Sequence, residues 1–421
     1  MVKKLFKNAY FLTLFVKVAS LCMAIISGAL LARFMGPALK GQLASLESVT
    51  QVISVILNFG IYHLYPKMIK DSLENARQKF IDIFFFQFIL YSLITMVAFL
   101  VFKDVAILYY GSISVVSCMV SQLTMMCMVE YPIYRSLSLL IVSVSNMLVT
   151  VAIFFIDVAH ILLVPVLVYL FKDILFCVLI MAKIQIIPKP HKVELHLIFQ
   201  LVRLGFIPMI TALLLKLNYK VDVIMLDMFK TNDEAIGVYS VAISIASQLW
   251  IIPEAFKEVL YSKSTKDNPE RSFVSALKIS TYSLFILDIV IVALGYWIVR
   301  ILYGMPFIDA YKHLAILVIG VPFMGVFNIV NPYYLAMGQY TIHLKNLTFG
   351  VISNIIVNAT LIVPLGATGA AIATSVSQIV CGLYACLQFS RSSKIPLKEV
   401  VLIDKTDIAL VKRLIVRNKI K

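Results

Sequence analysis

The chain has 421 residues, of which 61% are hydrophobic and only 14% charged, and a formal net charge of +15. Soluble domains are about 45–50% apolar and about 25% charged, so this excess needs a bilayer as solvent, not one globular core. The basic excess sits between and beyond the apolar runs. It therefore points to the anionic membrane surface and away from nucleic acid, for which no recognition pattern is present.

Lys3, Lys4 and Lys7 precede the first apolar stretch, which is too long for a signal peptide and lacks a clean small-residue cleavage site. It reads as an uncleaved first span over 10–33. Further spans are expected at 42–66, 80–102, 105–129, 136–156, 160–182, 198–222, 235–256, 279–302, 311–336, 342–363 and 367–389. The fold class is an all-α membrane protein of about twelve transmembrane helices. An even number of spans puts both termini on one side. Most of the 37 Lys and Arg fall on the N-terminal side of the membrane, including Lys67, Lys70, Arg77, Lys79 and a dense group after 390. The positive-inside bias makes both termini cytoplasmic. No loop is long enough to fold as a domain. The tail after 390 is basic, with Leu397, Val400, Val401, Ile408, Val411, Leu414 and Ile415 interleaved with Lys and Arg. It suits either an amphipathic surface helix or a disordered tail.

An internal repeat divides the chain. Gly41 and Gly237, Tyr65 and Tyr261, and Lys67 and Lys263 share one spacing, so spans one and two resemble spans seven and eight. The expected domains are an N-terminal six-helix bundle over 1–195, a C-terminal one over 196–390, and the cytoplasmic tail over 391–421.

The six cysteines lie inside apolar segments without CxxC spacing and read as small hydrophobes. No phosphate loop, HExxH or nucleophile elbow occurs, so neither an enzyme nor a metal site nor a bound cofactor is expected. Uphill transport would then draw on an ion or cargo gradient.

Ionisable residues at bilayer depth cost about 2.5–3.5 kcal/mol each, so each asks for a reason. Lys216 and Lys220 are four apart and share a helix face with Asp222 nearby, suiting either attraction of an anionic cargo or snorkelling to the outer interface. Lys17 lies mid-span in the first helix. Lys172 and Asp173, neighbours that need not pair with each other, suit either an interhelix salt bridge or a gating or ion-coupling role. Glu254 and Asp288 are further candidates for gating or ion coupling.

Several segments carry a family resemblance. They are Leu31-Ala32-Arg33-Phe34-Met35-Gly36-Pro37 with Gly41; Lys220-Val221-Asp222 through Leu226; Ala235-Ile236-Gly237-Val238-Tyr239; Leu302-Tyr303-Gly304; Gly350 through Asn358; and Pro364-Leu365-Gly366-Ala367-Thr368-Gly369. Together they resemble the polysaccharide-specific transporters of the multidrug/oligosaccharidyl-lipid/polysaccharide exporter superfamily, in particular the O-antigen flippases. The resemblance implies two pseudo-symmetric six-helix bundles around a central cavity. It implies alternating-access transfer of an undecaprenyl-pyrophosphate-linked oligosaccharide, an O-antigen or other lipopolysaccharide repeat unit, across a bacterial inner membrane. It also implies H+ or Na+ coupling and a cavity lined by Lys17, Arg33, Lys216, Lys220 and Asp222. Anionic lipids, a polysaccharide polymerase and chain-length machinery would be the neighbours. The rival functions are a multidrug or cation antiporter of the same superfamily and a membrane-embedded polymerase.

Overall fold

The computed structural model describes residues 9–70, 75–155, 161–185, 195–254, 269–336 and 339–402, all in helices and short turns. The helices are α1 (Ala9–Leu57), α2 (Ile61–Lys70), α3 (Ala76–Phe102), α4 (Val105–Glu130), α5 (Pro132–Phe155), α6 (Leu163–Ile184) and α7 (Leu195–Met228). They continue with α8 (Asp233–Gln248), α9 (Pro269–Leu302), α10 (Ala310–Leu317), α11 (Val321–Ala336), α12 (Tyr340–Ser393) and α13 (Leu397–Val401). Among the described residues, nine helices are long and apolar enough to cross a membrane, and the pair α10–α11, bent by 50°, adds a tenth. Both α1 and α12 are broken by a glycine, and dividing them there gives the twelve spans expected from sequence. The protein is a multi-pass, all-helical membrane protein. Large apolar side chains such as Ile89, Leu93 and Val101 on α3, or Ile286 and Ile289 on α9, are exposed on its surface, where lipid solvates them.

The chain forms two compact units that divide inside α7, between Lys220 and Val221. The boundary at 195 expected from the internal repeat coincides with the start of α7.

In the first unit, α1 turns at Gly36 (φ 71, ψ 174). A positive φ suits glycine, and the following Pro37 both lacks an N–H and holds the preceding residue extended. The sequence placed a loop between 33 and 42, but the chain needs only this Gly-Pro step. A second break, unforeseen within the span 42–66, lies at Phe59 (φ 46) and Gly60 (φ 69). It leaves carbonyls without helical partners, and side chains from other helices satisfy them. The Tyr91 hydroxyl donates to the Leu57 carbonyl at 2.8 Å, and the Gln87 amide to the same oxygen at 3.3 Å. Asn58 donates back to Ser54 O at 2.9 Å. The buried Gln122 amide then joins the set, donating to Asn58 Oδ1 at 3.1 Å and to Gln87 Oε1 at 2.7 Å. Gln122→Ala strands two buried acceptors and is expected to destabilise the protein by about 1–3 kcal/mol, read as a lower unfolding temperature in detergent. No such drop would mean the network is dispensable. Beneath it, Ile61, Tyr65, Phe80, Leu123, Met126 and Ile180 form an apolar core.

In the second unit, Asn232 caps α8 by accepting the Glu234 N–H at 3.1 Å. The inward face of α8 carries Ile236, Tyr239, Val241 and Ala242, all fully buried. Gly41 and Gly237, the glycines of the sequence repeat, are both buried, whereas Tyr261 and Lys263 lie outside the described residues. The α10–α11 bend passes so close to α12 that a Cβ on Gly320 would lie 2.6 Å from Gln378 Oε1 and 2.9 Å from Ser375 Cα. Gly366 (φ 53, ψ −132), two residues after Pro364, breaks α12. All six cysteines are free. The α13 helix holds the first residues of the expected amphipathic tail, and positions from 403 onward are outside the described residues.

Candidate functional site

Four membrane helices of the first unit bring polar side chains together. Glu47 and Gln51 are four residues apart on α1 and so share a face. Lys216, on α7, donates to Gln51 Oε1 at 3.3 Å. Tyr169 on α6 is half-buried, and its hydroxyl has Gln51, Ser117 of α4, Glu47 and Asp173 as polar neighbours. The Lys172 ammonium sits 4.1 Å from the centre of the Tyr169 ring and 3.7 Å from Asp173 Oδ1. Although successive residues on a helix diverge by about 100°, the long lysine stem folds back to pair with Asp173, so the two neighbours do form an ion pair.

The charges in this cluster are not evenly compensated. Lys172 has Asp173, but Lys216 has a neutral amide as its partner, and Lys220 is close enough to act on it as a like charge. Among the described residues neither Lys216 nor Lys220 makes an ion pair. A lysine at bilayer depth with only an amide for company is costly unless water or an anionic ligand completes its shell. No group of three His, Cys, Asp or Glu able to hold a metal occurs among the described residues.

Among the other sequence candidates, Asp222, Glu254 and Asp288 belong to the second unit and Lys17 and Arg33 to the first. Asp222 is 2% exposed. Its carboxylate accepts from the Val223 N–H at 2.8 Å, from Thr374 Oγ1 at 3.3 Å, and from the Tyr239 hydroxyl, tying α7, α8 and α12 together. Arg33 is exposed at the end of the first span, and Glu254 is exposed shortly after α8. Asp288 is buried in α9. Lys17 lies on α1, but its side chain is outside the described set. Glu47, Gln51, Ser117 and Tyr169 were missed in the sequence. Glu47 had a usable signal, since it is a carboxylate inside an apolar run. Tyr169 had none, because an aromatic in a span reads as packing.

No protein-family model matches this sequence, and no curated protein sequence matches it. Solved structures do. The lipid II flippase MurJ in an inward closed conformation superposes with a TM-score of 0.72 at 15% identity, over 92% of this chain and 89% of that one. The chain has the fold of the MOP-superfamily transporters. An inward-facing multidrug-resistance MATE transporter of that superfamily matches with a TM-score of 0.66 at 12% identity, covering 89% of this chain and 96% of the other. A mutant of the Vibrio cholerae MATE transporter VcmN matches at 0.56 and 15% identity, over 93% and 97% of the two chains. Identities this low speak for the architecture and leave the cargo to the site.

Proposed function

We propose that the protein is a flippase for undecaprenyl-pyrophosphate-linked oligosaccharides, moving O-antigen or related repeat units from the cytoplasmic to the periplasmic leaflet by alternating access. It would work in a bacterial inner membrane with both termini cytoplasmic. The observation that carries this reading is Lys216, a membrane-embedded ammonium on a flippase-like fold whose one recorded partner is the Gln51 amide. A pyrophosphate or acidic sugar supplies the counter-charge that the protein leaves out. Gln51 and Tyr169 beside it offer neutral groups suited to sugar hydroxyls. The reaction is positional, with no covalent bond made or broken, so the residues need only bind, release and shield the polar head.

A second reading has an observation behind it. Glu47 and Asp173 share the cluster, and two carboxylates would suit a cationic drug, as in a multidrug exporter of the same fold. The two readings separate in cells that make the cognate polysaccharide. Loss of the protein is expected to leave complete lipid-linked units on the cytoplasmic leaflet. Unchanged units together with new sensitivity to cationic drugs would favour the exporter. Complete single units stranded unpolymerised on the outer leaflet would point to a polymerase.

A further inference from the structure

The charges of the first-unit cluster fall into two groups of opposite sign. On α7, Lys216 and Lys220 act on each other as like charges, and Lys216 has the neutral Gln51 amide as its partner. The acids stand around the other end of the cluster. Glu47 lies four residues before Gln51 on α1, so the two share a helix face about 6 Å apart along the axis. Tyr169 and Asp173 of α6 both have Glu47 as a charged neighbour.

Asp173 is answered within the protein, by Lys172 at 3.7 Å. Glu47 is not. It is half-buried, makes no ion pair among the described residues, and has Asp173 beside it as a like charge. The next cation along α1, Lys40, is about 10 Å away along the axis. Lys17, on the other arm of α1, is about 12 Å farther from the Gly36 turn than Glu47 is. Glu47 and Lys216 do not pair with each other either, since Lys216 is held at Gln51 and has Lys220 as its charged neighbour. An unanswered carboxylate and an unanswered ammonium in membrane helices are each costly. A ligand that carries both charges answers both at once.

We infer that this site takes a zwitterionic head, with an anionic phosphate against Lys216 and Lys220 and the free amino group of a neighbouring sugar against Glu47. The inference rests on the flippase reading and narrows its cargo to lipid-linked oligosaccharides with an unacetylated amino sugar next to the pyrophosphate. Glu47 is the residue that reads the amine. An ammonium gives its carboxylate a charge-assisted hydrogen bond, whereas the neutral amide of an acetylated sugar gives a weaker one. The single helical turn between Gln51 and Glu47 is comparable with the width of one sugar ring, which assigns the amine to the first sugar and not to a remote one.

Two readouts on the full chain test it. In detergent, calorimetric titration compares a soluble disaccharide diphosphate bearing one free amine on its first sugar with the same molecule acetylated at that amine. The wild type should bind the free-amine head about tenfold more tightly. Glu47→Gln should bind both heads alike, at the wild-type affinity for the acetylated one. Glu47→Asp should keep the preference, because it keeps the charge. Equal affinity of the wild type for the two heads, or a preference that survives in Glu47→Gln, overturns the proposal. The second readout is exchange of the corresponding undecaprenyl lipids between leaflets in liposomes. The free-amine lipid should exchange faster, with the advantage lost in Glu47→Gln, and equal exchange of both lipids also overturns the proposal. A wild type that binds the free-amine head selectively yet exchanges neither lipid supports the zwitterionic head and defeats the flippase reading.

Discussion

Gly60→Ala is expected to destabilise the first unit by about 2–5 kcal/mol, enough to abolish a monodisperse folded protein in detergent. Two costs combine. Gly60 has φ +69, a conformation other residues rarely adopt. An added Cβ would also lie 2.0 Å from the Gly205 carbonyl oxygen, and that atom is backbone that no rotamer change can move. The reverse substitution, Gly205→Ala, places a Cβ 2.5 Å from Phe59 O and should also fail to fold. Gly28 is the control, because nothing lies within 4 Å of its Cβ position. There alanine should change stability by less than about 1 kcal/mol, toward stabilisation. Size-exclusion profiles and thermal unfolding of the three variants decide the matter. A well-folded Gly60→Ala would mean that α1, α2 and α7 do not meet this closely.

Lys216→Ala carries the largest expected effect on function. Losing a charge-assisted contact to the cargo head is worth about 1.5–3 kcal/mol, which is roughly ten- to hundredfold in transport. Stability should hold or rise, since the substitution removes a half-buried ammonium whose partner is the neutral Gln51 amide. Lys172→Ala should do the opposite. It strips Asp173 of its ion-pair partner and is expected to cost about 1–3 kcal/mol of stability, whatever its effect on transport. Measuring unfolding temperature and transport for both variants separates a cargo contact from a structural pair. Equal losses of stability in the two would remove the basis for assigning Lys216 to the cargo.

The sequence revealed different features of this protein to different degrees, and the reasons are physical. The spans were legible because a bilayer demands about 20 apolar residues in a row, and the chain supplies such rows. The turn at Gly36-Pro37 was legible as a motif, although its tightness was not. The break at Asn58–Gly60 was hidden, because Gln87, Tyr91 and Gln122, which satisfy its loose carbonyls and side chains, are distant in sequence. Charges within spans could be found but not sorted. Asp222 reads like a cavity residue by position, and the three donors around its carboxylate come from three places in the sequence that no motif links. Lys172 and Asp173 share one ion pair that helical geometry alone did not require. Glu47 and Tyr169 became visible as partners only when α1 and α6 were side by side.

The most direct test of the proposed activity is leaflet-to-leaflet movement of a fluorescent undecaprenyl-pyrophosphate oligosaccharide in vesicles containing the purified protein, scored by access of a membrane-impermeant quencher. Wild-type vesicles should exchange the lipid far faster than empty ones, and Lys216→Ala vesicles should lag by roughly ten- to hundredfold. Exchange no faster than in protein-free vesicles, from a protein shown to be folded, would contradict the flippase assignment.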